Sequence, residues 1–264
     1  DAFENGVITG KGFSYGGSLI RPEATGYRAI SYTCEVFKHQ HDDIKGKTFV
    51  VSGFGNVAWG AIKKITQLGG KALTISGPDG YVYDPDGIAT EEKITYLLEM
   101  RASGRDRVQD YADKFGAEFH PGEKPWGVKG DVILPCATQN EVTLEDAKKI
   151  VANGVKYYIE VSNMPTTADA LNYLMDQKDL IVAPSKAVNA GGVCVSGLEM
   201  SQNSQRLSWT AEEVEAKLHQ AMINIHKHSV EAAERYGLGY NLVAGANIAG
   251  FEKVAEAMLA QGIY

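Results

Sequence analysis

Apolar residues fall along this chain in two rhythms. Short apolar runs occupy residues 48–52, 72–76, 131–134, 157–161 and 180–183, most of them closed by Gly, Pro, Asn or Asp, and each predicts a buried strand. Between them the spacing changes to that of helices. Val57, Ala61, Ile62, Ile65 and Leu68 recur on one helical face until Gly69 and Gly70 stop it. Helical spacing also marks residues 23–39, 143–152, 167–175 and 210–235, and 247–261, where Ile248, Phe251, Val254 and Met258 share a face. Residues 90–116, dense in alternating charge, predict one or two exposed helices. Apolar strands alternating with helices imply an α/β fold, a Rossmann-like, doubly wound and mostly parallel sheet with helices on both faces. From Ala187 onward no strand pattern remains, so a helical C-terminal region closes the chain. The expected division is a leading segment and helix over 1–40, the Rossmann core over 41–186 and C-terminal helices over 187–264.

The first strand breaks into Gly53-Phe54-Gly55-Asn56-Val57-Ala58, the order of events a dinucleotide requires. Gly53 permits the tight turn, and Gly55 lets backbone approach a pyrophosphate with no Cβ between them. Ala58 keeps the new helix close to its strand, and the amides around Asn56 and Val57 face an anion from a helix N-terminus. The second strand ends in Gly77-Pro78-Asp79-Gly80. Here Asp79 is the acid expected to meet the adenosine ribose, within what is also a β-turn. No Lys or Arg lies between Ser76 and Asp84, and Phe54 and Pro78 offer a phosphate no hydrogen bond, so NAD is expected in preference to NADP. Three further strands are followed by polar loops, Pro135–Asn140 with Ala137 and Thr138, Ser162–Thr167 with Asn163, and Pro184–Gly192 with Asn189. Ligands of open α/β sheets bind at that edge, and amides satisfy both donors and acceptors of a carboxamide.

Composition narrows the picture. The 264 residues are 44% hydrophobic and carry a formal charge of −7, with a mean hydropathy of −0.21. That balance argues against nucleic acid or an anionic membrane as the main partner, and no run is long enough to span a bilayer. Cys34, Cys136 and Cys194 are odd in number and far apart. They suit reduced thiols in the cytoplasm and give neither a disulfide frame nor a metal site.

The chain resembles the coenzyme-binding domain of the hexameric bacterial glutamate dehydrogenases. The resemblance rests on Thr9-Gly10-Lys11, the stretch from Gly16 to Gly26, the Gly53–Val57 turn, Pro135–Asn140 and Asn163–Thr167. Asn189–Val193, Ser196–Met200 and Gly245–Gly250 complete it, all in the family's order. Gly-Phe-Gly and Gly-Pro-Asp-Gly are most similar to the clostridial, NAD-linked members. The resemblance implies reversible hydride transfer between NAD and the α-carbon of glutamate, through iminoglutarate, to give 2-oxoglutarate and ammonium. It places Thr25 at the nicotinamide end and Asn56 at the pyrophosphate. Ser196 would hold the side-chain carboxylate of glutamate, with Val193 and Asn189 at the junction of substrate and nicotinamide. Two positions depart from the pattern: Arg28 stands where Gly is usual, close enough to Thr25 to cover the nicotinamide pocket, and Ser162 where Ala is common.

In the resembled family the catalytic lysine and aspartate belong to a separate N-terminal substrate domain, which is not expected in these residues. The expectation is therefore a chain that binds NAD(H) but holds no catalytic residue, engages glutamate or 2-oxoglutarate only together with that domain, and comes from a homohexameric parent. The alternatives are a stand-alone or engineered NAD-binding module and the equivalent domain of a Leu, Phe or Val dehydrogenase. Ser196 speaks against the latter, since an apolar side chain has no carboxylate to hold.

Overall fold

Alternation along three central strands builds two cores at once. The computed structural model describes residues 5–19 and 24–262. In it β1 (Thr48–Val51), β2 (Lys71–Ala72), β6 (Val132–Leu134), β7 (Tyr157–Ile159) and β8 (Ile181–Ala183) form a parallel sheet in the order β2-β1-β6-β7-β8. Phe49, Val51, Val132, Leu134, Tyr157 and Ile159 point to one core, while Val50, Ile133 and Tyr158 point to the other. Helices α1 (Ala24–His39) and α2 (Asn56–Gln67) feed the first core; α5 (Leu144–Ala152) and α6 (Ala168–Met175) feed the second. The sheet is covered on both faces, as the apolar runs require.

The second strand does something the pattern did not announce. After Leu73 it leaves the parallel sheet and continues as β3 (Thr74–Gly77), antiparallel to β4 (Gly80–Tyr83), which in turn pairs with β5 (Glu118–Pro121). As β3 peels away from β1, hydroxyls replace the backbone ladder. Thr74 Oγ1 accepts from the Val51 N–H and donates to the Val51 carbonyl, each at 2.8 Å, and Ser76 Oγ accepts from the Gly53 N–H at 2.8 Å. Residues 90–116 are the expected helices, α3 (Glu91–Ala102) and α4 (Gln109–Phe115). The expected single parallel sheet thus acquires an antiparallel three-stranded annex.

The C-terminal region is helical, with two adjustments. Residues 184–192, read as a loop, instead hold α7 (Ser185–Val188) and the first turn of α8 (Ala190–Gln205). The last helix, α10, spans Leu242–Gln261, beginning before residue 247 because Asn241 caps it by accepting from the Ala244 N–H at 2.9 Å. Between them α9 (Ala211–Arg235) starts in a capping box of Thr210 and Glu213. The expected start of the first helix at Glu23 lies outside the described residues. No helix among the described residues is long and apolar enough to cross a membrane.

Candidate functional site

The chain runs from β1 outward to β2 and then returns to the other side of β1 as β6, so strand order reverses between β1 and β6. Loops leaving the carboxyl ends of such a pair diverge and leave a crevice. At its floor they touch. Gly53 has φ +78°, a backbone conformation that favours glycine, and a Cβ on it would lie 3.2 Å from the Cys136 carbonyl. One residue later Phe54 turns inward, 8% exposed, and packs beside Gly77. The ring therefore shapes the crevice wall from behind.

At Gly55 the surroundings open. A Cβ there would meet nothing within 4 Å, and Gly55 and Asn56 are exposed. The helix α2 begins at once, with no side-chain cap and no acidic residue in its first turn. Its leading amides have no intrahelical acceptor, so they present unpaired donors and the positive end of the helix dipole to open space. A helix start of this kind can receive an anion such as a phosphate.

Pro78 and Asp79 form the two-residue turn between β3 and β4, with Pro78 exposed. The Asp79 carboxylate accepts from the Val108 N–H at 3.0 Å and the Gln109 N–H at 3.1 Å, which ties the turn to the start of α4. The acid is thus held at the crevice rim by the start of an expected helix, through a contact that the local sequence did not indicate.

Two buried glutamates support the polar loops from below. Glu141 accepts at one oxygen from the Ser52 hydroxyl at 2.9 Å and from the Ala137 N–H at 3.0 Å; its other oxygen is buried without a partner. Burial pushes its carboxyl above the ordinary range despite those donors. Glu160, at the end of β7, accepts from the Thr166 hydroxyl at 2.6 Å and the Ser185 N–H at 3.0 Å, and burial raises its carboxyl in the same way. Above them Ala137, Thr138 and Asn163 are exposed, and the Asn189 amide donates to the Asn163 Oδ1 at 2.6 Å. Sequence reasoning missed both glutamates, although an acid inside the apolar run 157–161 was a usable signal.

The last cluster lies where α1 and α8 begin together. A Cβ on Gly192 would come within 2.7 Å of the Thr25 hydroxyl, and Val193, next along α8, is 76% exposed. One helical turn on, Ser196 accepts from the Thr9 hydroxyl at 3.3 Å. The segment carrying Thr9 is fixed by Glu199, fully buried, which accepts from the Gly10 amide at 2.9 Å and pairs with the Lys11 ammonium at 2.7 Å. Burial alone would raise the Glu199 carboxyl; the Lys11 contact and the amides of Gly10 and Lys11 hold it below its ordinary value.

Arg28 is not in the crevice. It is fully buried and its guanidinium meets Glu215 of α9, so it ties α1 to α9. The two lysines nearest to the matched motifs are also committed, Lys11 to Glu199 and Lys186 to Asn247 Oδ1 at 2.6 Å. The three cysteines are free thiols, and burial raises Cys34 to about 11 and Cys136 well above its ordinary range, so neither is an activated nucleophile.

Comparison with known proteins agrees with this arrangement. The chain is 71% identical over 261 residues to the NAD-specific glutamate dehydrogenase of Clostridium symbiosum, covering 99% of this chain and 58% of that protein. It is 51% identical to the NADP-specific glutamate dehydrogenase of Haemophilus influenzae, across 98% of this chain and 57% of the relative. A solved glutamate dehydrogenase superposes with a TM-score of 0.98 at 71% identity, covering 99% of this chain and 58% of its own. The chain therefore spans little more than half the length of the relatives it matches. The family model for glutamate/leucine/phenylalanine/valine dehydrogenases matches residues 16–262, and with the crevice, the open turn and these relatives it establishes that the chain belongs to that family.

Proposed function

We propose that these residues form the NAD(H)-binding domain of a glutamate dehydrogenase. The observation that carries this is the open, uncapped start of α2 beside Gly55, set in the crevice between β1 and β6. Gly53 makes the tight turn, Gly55, Asn56 and Val57 hold the pyrophosphate through backbone amides, and Pro78 and Asp79 border the adenosine ribose. Ala137, Thr138, Asn163 and Asn189 line the path to the nicotinamide, with Thr25 at its end. Bound there, NAD supplies the hydride acceptor. The chain's own contribution is to orient the ring and shield one wall of the reaction space. Ser196, steadied by Thr9, offers a hydroxyl to the side-chain carboxylate of glutamate or 2-oxoglutarate, with Val193 at the junction. Ser196 also favours glutamate over Leu, Phe or Val as the substrate, because it would be idle against an apolar side chain.

NAD is preferred over NADP in this reading because a 2′-phosphate would meet the Asp79 carboxylate, although NADP-specific relatives share the fold. The free thiols suit a cytoplasmic protein, and hexameric assembly follows from the family resemblance. The reaction as a whole needs an acid–base group and a cation at the crevice. Of the lysines described near it, Lys11 is paired with Glu199 and Lys186 reaches only the neutral Asn247, and loss of an acid–base group alone costs about 10²–10⁴ in rate.

An NADH titration by fluorescence, with NADPH alongside and a parallel assay with 2-oxoglutarate and ammonium, tests all of this. The expected result is saturable binding, tighter for NADH, without turnover. No binding would refute the reading. Steady NADH oxidation dependent on both co-substrates would show that a catalytic lysine lies within these residues.

A further inference from the structure

The α3–α4 corner brings a cation to the phosphate turn from 45 residues away. Arg101, in the last turn of α3, donates from its guanidinium to the side-chain oxygen of Asn56, the first residue of α2. Asn56 is neutral, so this bond leaves the charge of Arg101 uncompensated. Arg107 is likewise held by a neutral partner, Gln109 Oε1 at 2.9 Å, but Lys93 and Arg105 are matched differently. Lys93 pairs with Asp84 at 2.7 Å and Arg105 with Asp110 at 2.8 Å, whereas no carboxylate lies within salt-bridge distance of Arg101 among the described residues.

This arrangement is electrostatically unfavourable by itself. A helix N-terminus carries partial positive charge and favours anions, yet the first turn of α2 has no acidic residue and faces a guanidinium instead. The two positive features meet at Asn56, next to a turn where a Cβ on Gly55 would touch nothing within 4 Å, and an anion there would relieve their repulsion. A guanidinium has five donors in a planar fork, so one bond to Asn56 leaves others for a second acceptor.

We propose that Arg101 is a cofactor-binding residue that completes the pyrophosphate site, with Asn56 holding its guanidinium over the Gly55 turn. The proposal rests on the reading of that turn as the dinucleotide site and adds a charge to what was a site of backbone amides. In the free protein Asn56 keeps the guanidinium from swinging into solvent. In the bound protein Arg101 and the α2 amides grip the two phosphates from opposite sides.

The test compares the wild-type chain with Arg101→Met and Arg101→Lys, titrated with NADH, ADP-ribose, adenosine and NADPH over a range of salt. Arg101→Met is expected to weaken NADH and ADP-ribose by about tenfold, the scale of one lost charge-assisted hydrogen bond. It should also flatten their salt dependence, leave adenosine unchanged, and be partly rescued by Arg101→Lys. Unchanged NADH affinity in Arg101→Met, with wild-type binding intact, would overturn the assignment. So would an equal loss for adenosine, which marks a collapsed corner, or a loss confined to NADPH, which would put Arg101 on a 2′-phosphate. Failure of the wild-type chain to bind NADH would refute the dinucleotide reading itself and Arg101 with it.

Discussion

The first turn of α2 has two sides, and a glycine stands on each. On the inner side Gly26 of α1 lies so close that a Cβ would sit 2.2 Å from the Val57 carbonyl and 2.5 Å from the Ala61 nitrogen. On the outer side Gly55 has nothing within 4 Å of the same imagined atom. One glycine is required by the protein's own packing. The other meets no such constraint, and its φ of −73° suits any residue. Gly55 serves the fold only as the N-cap of α2, beside amides that the fold does not satisfy, and that is what the proposed phosphate site rests on.

Substitutions separate the two most sharply. Gly26→Ala drives a methyl into helix backbone, and neither helix can yield without losing its own hydrogen bonds. A loss of about 3 kcal/mol in stability is expected, the upper range for overpacking. It should be read from denaturant midpoints, with NADH affinity weakened only as far as α2 shifts. Gly55→Val should do the reverse. It places a branched side chain where phosphate oxygens approach the amides, for about a hundredfold loss of NADH affinity, or roughly 2.7 kcal/mol. Stability should fall by no more than about 1 kcal/mol, the scale of a poorer helix cap, because Gly55 is the N-cap of α2. A Gly55→Val protein as unstable as Gly26→Ala, or one that binds NADH normally, would dissolve the distinction.

The far end of α1 extends the contrast, because there a polar ring, His226, is closed in by its aromatic neighbours. His39 stacks on Tyr240 with ring centroids 3.9 Å apart, and Tyr240 meets His226 Nε2 through its hydroxyl at 2.7 Å. Tyr32 lies edge-on to His226 at 5.4 Å. Burial first, and then the neighbouring His39, lower His226 from 6.5 to about 4, with Glu35 opposing. A depressed folded value means that neutral His226 contributes its full share above pH 6.5 and loses it as pH falls toward 4. The contribution is about 2 kcal/mol after allowance for partial solvation. His226→Gln keeps a partner for Tyr240 and does not titrate, so its stability should lack that component of the acid decline. NADH affinity per folded molecule should not change in either protein. A change in affinity that tracks His226 would couple the closed end of α1 to the open one.

What the sequence revealed of this contrast followed from local order. The strand runs, the Gly53–Val57 turn and the polar loops after β6, β7 and β8 are each a contiguous signal, and each is found at one sheet edge. Contacts made across the chain were illegible. Arg101 reaches Asn56 from a helix whose charged pattern predicted only exposure, and Asp79 is anchored by amides of Val108 and Gln109. The strand β5 reads Glu118-Phe119-His120-Pro121, too polar and too short to announce itself, and it becomes a strand through its pairing with β4. The motif sets Phe54 beside the cofactor, but its side chain has a buried alternative that a linear motif does not display. Arg28 was a concern for the same reason, since only the position of Glu215 on α9 shows which way it turns.

The burial of Phe54 alters how cofactor preference should be probed. Phe54→Ser would open a cavity beside Gly77 and cost about 3 kcal/mol in stability before any phosphate was accommodated. Pro78 is exposed and lies in the turn itself, so Pro78→Ser changes the rim without touching the core. A serine there adds a hydroxyl and an N–H within reach of a 2′-phosphate, while the Asp79 carboxylate stays fixed on the start of α4. The gain is one neutral hydrogen bond set against a remaining like-charge repulsion. The preference for NADH over NADPH should narrow by about threefold to fivefold, the equivalent of up to roughly 1 kcal/mol, without reversing. Parallel fluorescence titrations of the two cofactors at fixed moderate salt measure the ratio. A reversal from this one change would mean that Asp79 contributes little to selection, and that the arginines of the α3–α4 corner already favour the phosphate.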